Sequence, residues 1–249
     1  MSPAFAASIE NFDGPIVLSP TQAPGAWYTD RSAPDVFVSG ATYGGRTGVL
    51  EVGVDGADFR GPNSFPGVPN FSDTEGRKLD LAPGTTNLSI ELYIDPAYAN
   101  GDARRLAGFW GTGVGAGGAV TAYPIIEFFN TGAGGSFRVW DSTAPGSFTA
   151  IGLPTGFAYD TWQTLDITLA NNQFNYTIGD LNFSVAALGS TSISNVILQA
   201  HNAGSDYSVH WDNLSGGAVP EPATWAMMIM GFGFAGATLR RRGRALAKA

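Results

Sequence analysis

In residues 88–94 every second position is leucine or isoleucine, at 88, 90, 92 and 94, with Ser89, Glu91 and Tyr93 between them. Leu165, Ile167 and Leu169 repeat the pattern, as do Phe174, Tyr176 and Ile178, and again Tyr207, Val209 and Trp211. Successive side chains of a strand point to opposite faces, so a period of two marks strands with one face buried. Further strands are expected near 36–38, 48–54, 125–129, 136–140, 182–186 and 193–198. Asn171-Asn172 separates two of the alternating runs and reads as a tight hairpin turn, because asparagine tolerates positive φ. No amphipathic helix interrupts the body of the chain.

With 34 glycines and 15 prolines among 249 residues, the turns match that reading. Ten or more strands with such turns predict an all-β chain folded as an antiparallel two-sheet sandwich. No linker divides the body, so one domain over residues 8–216 is expected. The segment 111–122, GTGVGAGGAVTA, reads as a loop between strands.

Charge separates body from tail. Residues 1–219 hold 20 of the 21 acidic and 8 of the 13 basic side chains, a net −12; residues 220–249 hold the remainder, a net +4. Nucleic-acid binding needs clustered Lys and Arg on the binding face, so a body this acidic argues against it. There is no cysteine, which excludes disulfides, thiolate metal sites and thiol catalysis.

The uncharged run 223–239 sits at the short end of the about 17–25 residues that span a bilayer as a helix. Arg240, Arg241, Arg242 and Arg244 follow it. Basic residues beside a hydrophobic segment stay on the cytoplasmic side, which puts the body outside and residues 245–249 in a cytoplasmic tail. Pro220-Glu221-Pro222, then Trp225, Gly231-Phe-Gly233 and the arginines resemble the PEP-CTERM sorting signal of Gram-negative bacteria, here residues 219–244. The resemblance implies a membrane-anchored precursor cut near the Pro-Glu-Pro by an exosortase. It also implies delivery to the cell surface or extracellular matrix, in association with exopolysaccharide or biofilm.

Two GxGxxG matches, Gly231 to Gly236 and Gly113 to Gly118, lack the strand–helix context of a dinucleotide site and are rejected. At the other end, Ala4-Phe5-Ala6 has the small-x-small form of a signal-peptidase site, without the apolar stretch of about 7–15 residues that precedes one. Residues 1–7 are therefore read as the remnant of a signal peptide whose start lies upstream.

Phe12-Asp13-Gly14, residues 102–111, residues 124–128 and Trp211-Asp212-Asn213 resemble a group of secreted proteins with a concanavalin A-like jelly roll. Carbohydrate-binding modules, lectins and some glycosidases share that fold, which does not settle function. If the first and last strands pair, Glu10, Asp13, Asp212 and Asn213 supply oxygen donors of the kind calcium takes. A structural calcium and simple turn carboxylates both remain open; no other cofactor is expected. Trp27 and Trp110 are the tryptophans expected at the surface, where a ring can stack on a sugar.

Catalysis has little support. Glycosidases of this fold that cleave β-glucans space their carboxylates Glu-x-Asp-x-x-Glu, whereas this chain has Glu91 and Asp95 four apart. Glu127 stands alone, and His201 and His210 have no metal partner nearby in sequence. The expected protein is an exported, non-enzymatic one. A lectin-like carbohydrate-binding module is the alternative, and a glycoside hydrolase is a weaker one.

Overall fold

A computed structural model describes residues 7–59, 74–99, 106–130 and 134–218. Two sheets face each other. One runs β15 (Leu181–Ala186), β14 (Gln173–Ile178), β13 (Thr161–Ala170), β7 (Asn87–Ile94), β17 (Tyr207–Gly217), β5 (Arg46–Val54) and β4 (Val36–Tyr43). The short β1 (Ala7–Glu10) also lies on β17, against Leu214 to Gly216, continuing the edge that β5 occupies along residues 207–211. The first and last described strands therefore meet.

The second sheet runs β12 (Ser147–Gly152), β11 (Gly135–Asp141), β10 (Ile125–Asn130), β8 (Leu106–Val114), β16 (Ser192–His201), β6 (Thr74–Asp80), β3 (Trp27–Thr29) and β2 (Leu18–Ser19), with β9 (Val120–Ala122) on β8. Strands β5, β6, β7 and β8 alternate between the sheets, the crossing pattern of a jelly-roll sandwich. The sheets are not purely antiparallel, because β2 pairs β3 in parallel. Helical structure among the described residues is limited to the 3₁₀ turns Gly56–Asp58 and Pro96–Ala99.

The alternating runs bury the residues their period selects. Leu88, Ile90, Leu92, Leu165, Ile167, Phe174, Tyr176, Val209 and Trp211 are each no more than 1% exposed and belong to one core cluster. Burying each such side chain contributes about 1.5–3 kcal/mol relative to exposure. The hairpin between β13 and β14 turns at Asn171 and Asn172, with φ of 52° and 56°.

The 111–122 segment departs from its reading as a loop. β8 continues through Gly111 and Gly113 to Val114, and β9 returns from Val120, so only the hairpin turn between them is irregular. Gly111 and Gly113 let neighbouring side chains pack closely, whereas Gly117 and Gly118 face open space in the turn. A Cβ on Gly113 would lie 2.6 Å from the Ser190 hydroxyl and 2.8 Å from the Phe174 ring.

Residues 1–6 and 219–249 lie outside the described residues. They include the signal-peptide remnant except Ala7, which opens β1, the membrane-spanning segment expected over 223–239, and the motif residues Pro220, Glu221, Pro222, Trp225, Gly231, Gly233, Arg240, Arg241 and Arg242. Among the described residues no helix is long and apolar enough to cross a membrane.

Candidate functional site

Val209 and Trp211 enter the core from β17, so Ser208, His210 and Asp212 face outward. On the adjacent β5, Leu50 and Val52 are core residues, which turns Glu51 to the same outer face, directly opposite His210. Tyr43 closes β4 and Asp95 follows the last residue of β7. Tyr43, Glu51, Asp95, Asp206, Ser208 and His210 line a cleft of about 450 Å³.

Hydrogen bonds fix its walls. The Tyr43 hydroxyl donates to Asp95 at 2.5 Å, and the Ala97 amide donates to the other Asp95 oxygen at 2.7 Å. The Ser208 hydroxyl donates to Glu51 at 2.7 Å. The hydrogen bond to Asp95, then burial, holds the Tyr43 phenol protonated, its pKa pushed up to about 12. His210 is only 5% exposed, with its ring stacked on Tyr43. Burial pushes its pKa below the ordinary histidine value, against the pull of Glu51 and Asp95. At neutral pH the ring is therefore a neutral imidazole, with one N–H donor and one acceptor nitrogen.

Further along the same face, Arg46 ties three strands together. Its guanidinium donates to both Glu91 oxygens, at 2.6 and 3.1 Å, and to Asp212 at 2.8 Å. It lies 4.3 Å from the centroid of the Trp162 ring. Asn213, at a φ of 53°, donates its side-chain amide to Glu91 at 2.5 Å. The Arg46 hydrogen bonds hold the Glu91 carboxyl below the usual carboxylate range.

That knot engages two of the residues expected to offer calcium ligands. Strand β1 does pair β17, but Glu10, Asp13, Asp212 and Asn213 do not converge. Asp212 already faces a guanidinium, and Asn213 is committed to Glu91. Asp13 takes the side-chain amide of Asn11 at 2.6 Å. Among the described residues no group of three or more His, Asp or Glu could hold a metal.

The outer face of the second sheet carries another polar row. Gly76, Gln199, Gly108, Glu127 and Arg138 stand in register across β6, β16, β8, β10 and β11. Glu127, 1% exposed, accepts from the Trp110 indole at 3.1 Å and from two Arg138 nitrogens, each at 2.6 Å. Burial raises its pKa even against Arg138. Gln199 is fully buried, and neither amide atom has a hydrogen-bond partner. Glu127, alone in the sequence, thus gains its partners across the sheet.

The expectation of surface tryptophans fails. Trp27 and Trp110 are each 1% exposed. Trp27 packs into the core against Phe12 and Phe37. Trp110 is on the outer face but is covered, in a cluster with Ile125, Trp140 and Ile197 and with the Arg31 guanidinium 5.0 Å from its ring. Tyr43, Glu51, Ser208 and His210 were not singled out as a group from sequence, since nothing local links residues this far apart. The outward phase of Glu51 and His210 within their strands was the available signal.

The tail supplies the decisive comparison. Residues 218–242 match the PEP-CTERM protein-sorting motif. The PEP-CTERM motif implies a protein that is exported, processed by an exosortase and sorted to the cell surface. It begins one residue after β17 ends. No curated protein matches the chain in sequence. Among solved structures, the chain is similar to the catalytic domain of an endo-1,3-β-glucanase (laminarinase) from Thermotoga petrophila RKU-1. Identity is 10%, the TM-score 0.54, and the match covers 86% of this chain and 96% of that one. A Bacillus licheniformis β-glucanase matches at 11% identity and a TM-score of 0.46, over 84% and 96% of the two chains. At such identity the laminarinase likeness shows the fold, a concanavalin A-like jelly roll, and nothing of activity.

Proposed function

We propose that this PEP-CTERM protein is a non-enzymatic component of the cell envelope or extracellular matrix of a Gram-negative bacterium, held among exopolysaccharides by its β-sandwich. In this reading residues 223–239 anchor the precursor in the membrane, and the Pro-Glu-Pro stands just outside, where the exosortase cuts. The observation that carries the reading is the sorting motif directly after the last described strand.

The non-enzymatic part rests on the state of the carboxylates. Glycoside hydrolysis uses two carboxyl groups flanking the bond, one of them ionised and free to act. Glu91 is held by Arg46 and Asn213, Asp212 by Arg46, and Glu127 by Arg138. The cleft carboxylates Glu51 and Asp95 accept from the Ser208 and Tyr43 hydroxyls and are the pair that a test of activity must address. The full chain incubated with laminarin and mixed-linkage β-glucan should release no reducing ends above the level of a heat-denatured control. Release that is abolished by Glu51→Gln, Asp95→Asn, Glu91→Gln or Glu127→Gln would replace this reading with a glycosidase.

A lectin-like module is the second reading. It is favoured by the polar cleft of Tyr43, Glu51 and His210.

A further inference from the structure

The cleft on the β4–β5–β17 face holds a group that the fold itself leaves unused. His210 is 95% buried by side-chain packing yet lines the cavity, and its ring nitrogens have no hydrogen-bond partner among the described residues. The ring nitrogens are not sealed from the cavity, so they are free to bond to whatever occupies it.

The surroundings fix what that something is. Stacking on Tyr43 holds the imidazole plane. Ser208 and Tyr43 spend their hydroxyl protons on Glu51 and Asp95, orienting those carboxylates while leaving lone pairs free, since an ionised carboxylate has about four acceptor sites. The cavity therefore offers several oriented acceptors beside one ring that both donates and accepts. Vicinal hydroxyls, each a donor and an acceptor, complement that array. None of the described residues lining the cleft is Lys or Arg, while Glu51, Asp95 and Asp206 line it, so an anionic ligand is repelled. About 450 Å³ is within the range of small-ligand sites.

We propose that this cleft binds a neutral saccharide unit, its hydroxyls pairing with His210, Glu51 and Asp95, and rejects uronic acid units. The proposal rests on the exopolysaccharide association above and names the sugar class and the residues that would carry it.

His201 and His210 are the only histidines, so the ring Cε1–H resonances of the full chain give one reporter in the cleft and one control outside it. Glucose, galactose, mannose and N-acetylglucosamine are titrated singly, then an oligoguluronate. At least one neutral sugar should shift His210 and leave His201 in place, and the oligoguluronate should shift neither. His210→Phe keeps a stacked ring but no ring nitrogen, and should weaken binding of that sugar about ten-fold or more; Glu51→Gln, a gentler change, should weaken it by less. Failure of every neutral sugar to move His210, or unchanged affinity in both variants, overturns the assignment. Retention on the exopolysaccharide isolated from the host separates the two claims. If wild type and His210→Phe are retained equally, the cleft assignment falls and the matrix association stands. If wild type is not retained, the association itself falls.

Discussion

The imidazole of His210 lies flat on the phenol of Tyr43, with ring centroids 3.5 Å apart and planes 5° from parallel. The contact joins β17 to β4 across the intervening β5. It places a neutral histidine between a phenol and two carboxylates, where its protonation state is set by burial.

That burial gives stability a pH dependence. Because the folded-state pKa of His210 is lowered from 6.5, the unfolded chain takes up a proton first as pH falls. The unfolded state then binds more protons than the folded one, so stability decreases as pH drops through 6.5 and stops decreasing below the folded-state value. Urea unfolding from about pH 8 to about pH 5 should show this loss. His210→Phe should flatten the profile in that window, while the loss at lower pH from Glu91, whose carboxyl is held low by Arg46, should remain.

Removing the guanidinium at Arg46 leaves Glu91 and Asp212 facing each other on neighbouring strands. Arg46→Ala should cost about 1.5–3 kcal/mol, the range for hydrogen bonds to charged groups. Arg46→Lys should recover only part of that, because an ammonium lacks the planar fork that now reaches three oxygens. Urea midpoints of the two variants decide it.

Gly76→Ala should destabilise by about 1–3 kcal/mol through overpacking. Its Cβ would sit 2.6 Å from the Leu198 carbonyl oxygen and 2.6 Å from the Gln199 Cβ, and the first is backbone that a side-chain rotation cannot clear. Gly117→Ala, with nothing within 4 Å, is the matched control and should change the midpoint little.

At the hairpin, Asn171→Val should cost about 1–2 kcal/mol, because a β-branched residue resists the φ of 52° held there. Asn171→Gly should be nearly neutral. A Gly variant as damaging as the Val variant would mean that the side chain, and not the backbone angle, holds the turn.

The sheets were legible wherever a strand has one wet and one dry face. In 88–92, 164–169 and 174–178 the burial alternation mirrors the sequence alternation, whereas Tyr93 and His210, on the outer phase of their runs, are covered as well. Where that condition fails, the pattern disappears. β12 buries neither face, and β8 is buried on nearly its whole length and contains glycines that let neighbours approach. The site was less legible because its parts meet only through sheet order. Glu51 and His210 are directly opposed in register, yet nothing near either residue in sequence announces the other. Trp27 and Trp110 show the converse: glycines and prolines nearby in sequence do not stop a ring from being covered.

The claim on which the account depends is that the tail is a processed sorting signal. Intact mass of the exported protein from its host, with and without the exosortase, tests it directly. The account predicts loss of the chain beyond the Pro220–Pro222 region only when the enzyme is present. The same uncut mass in both strains would contradict it and leave a jelly-roll domain that keeps its tail.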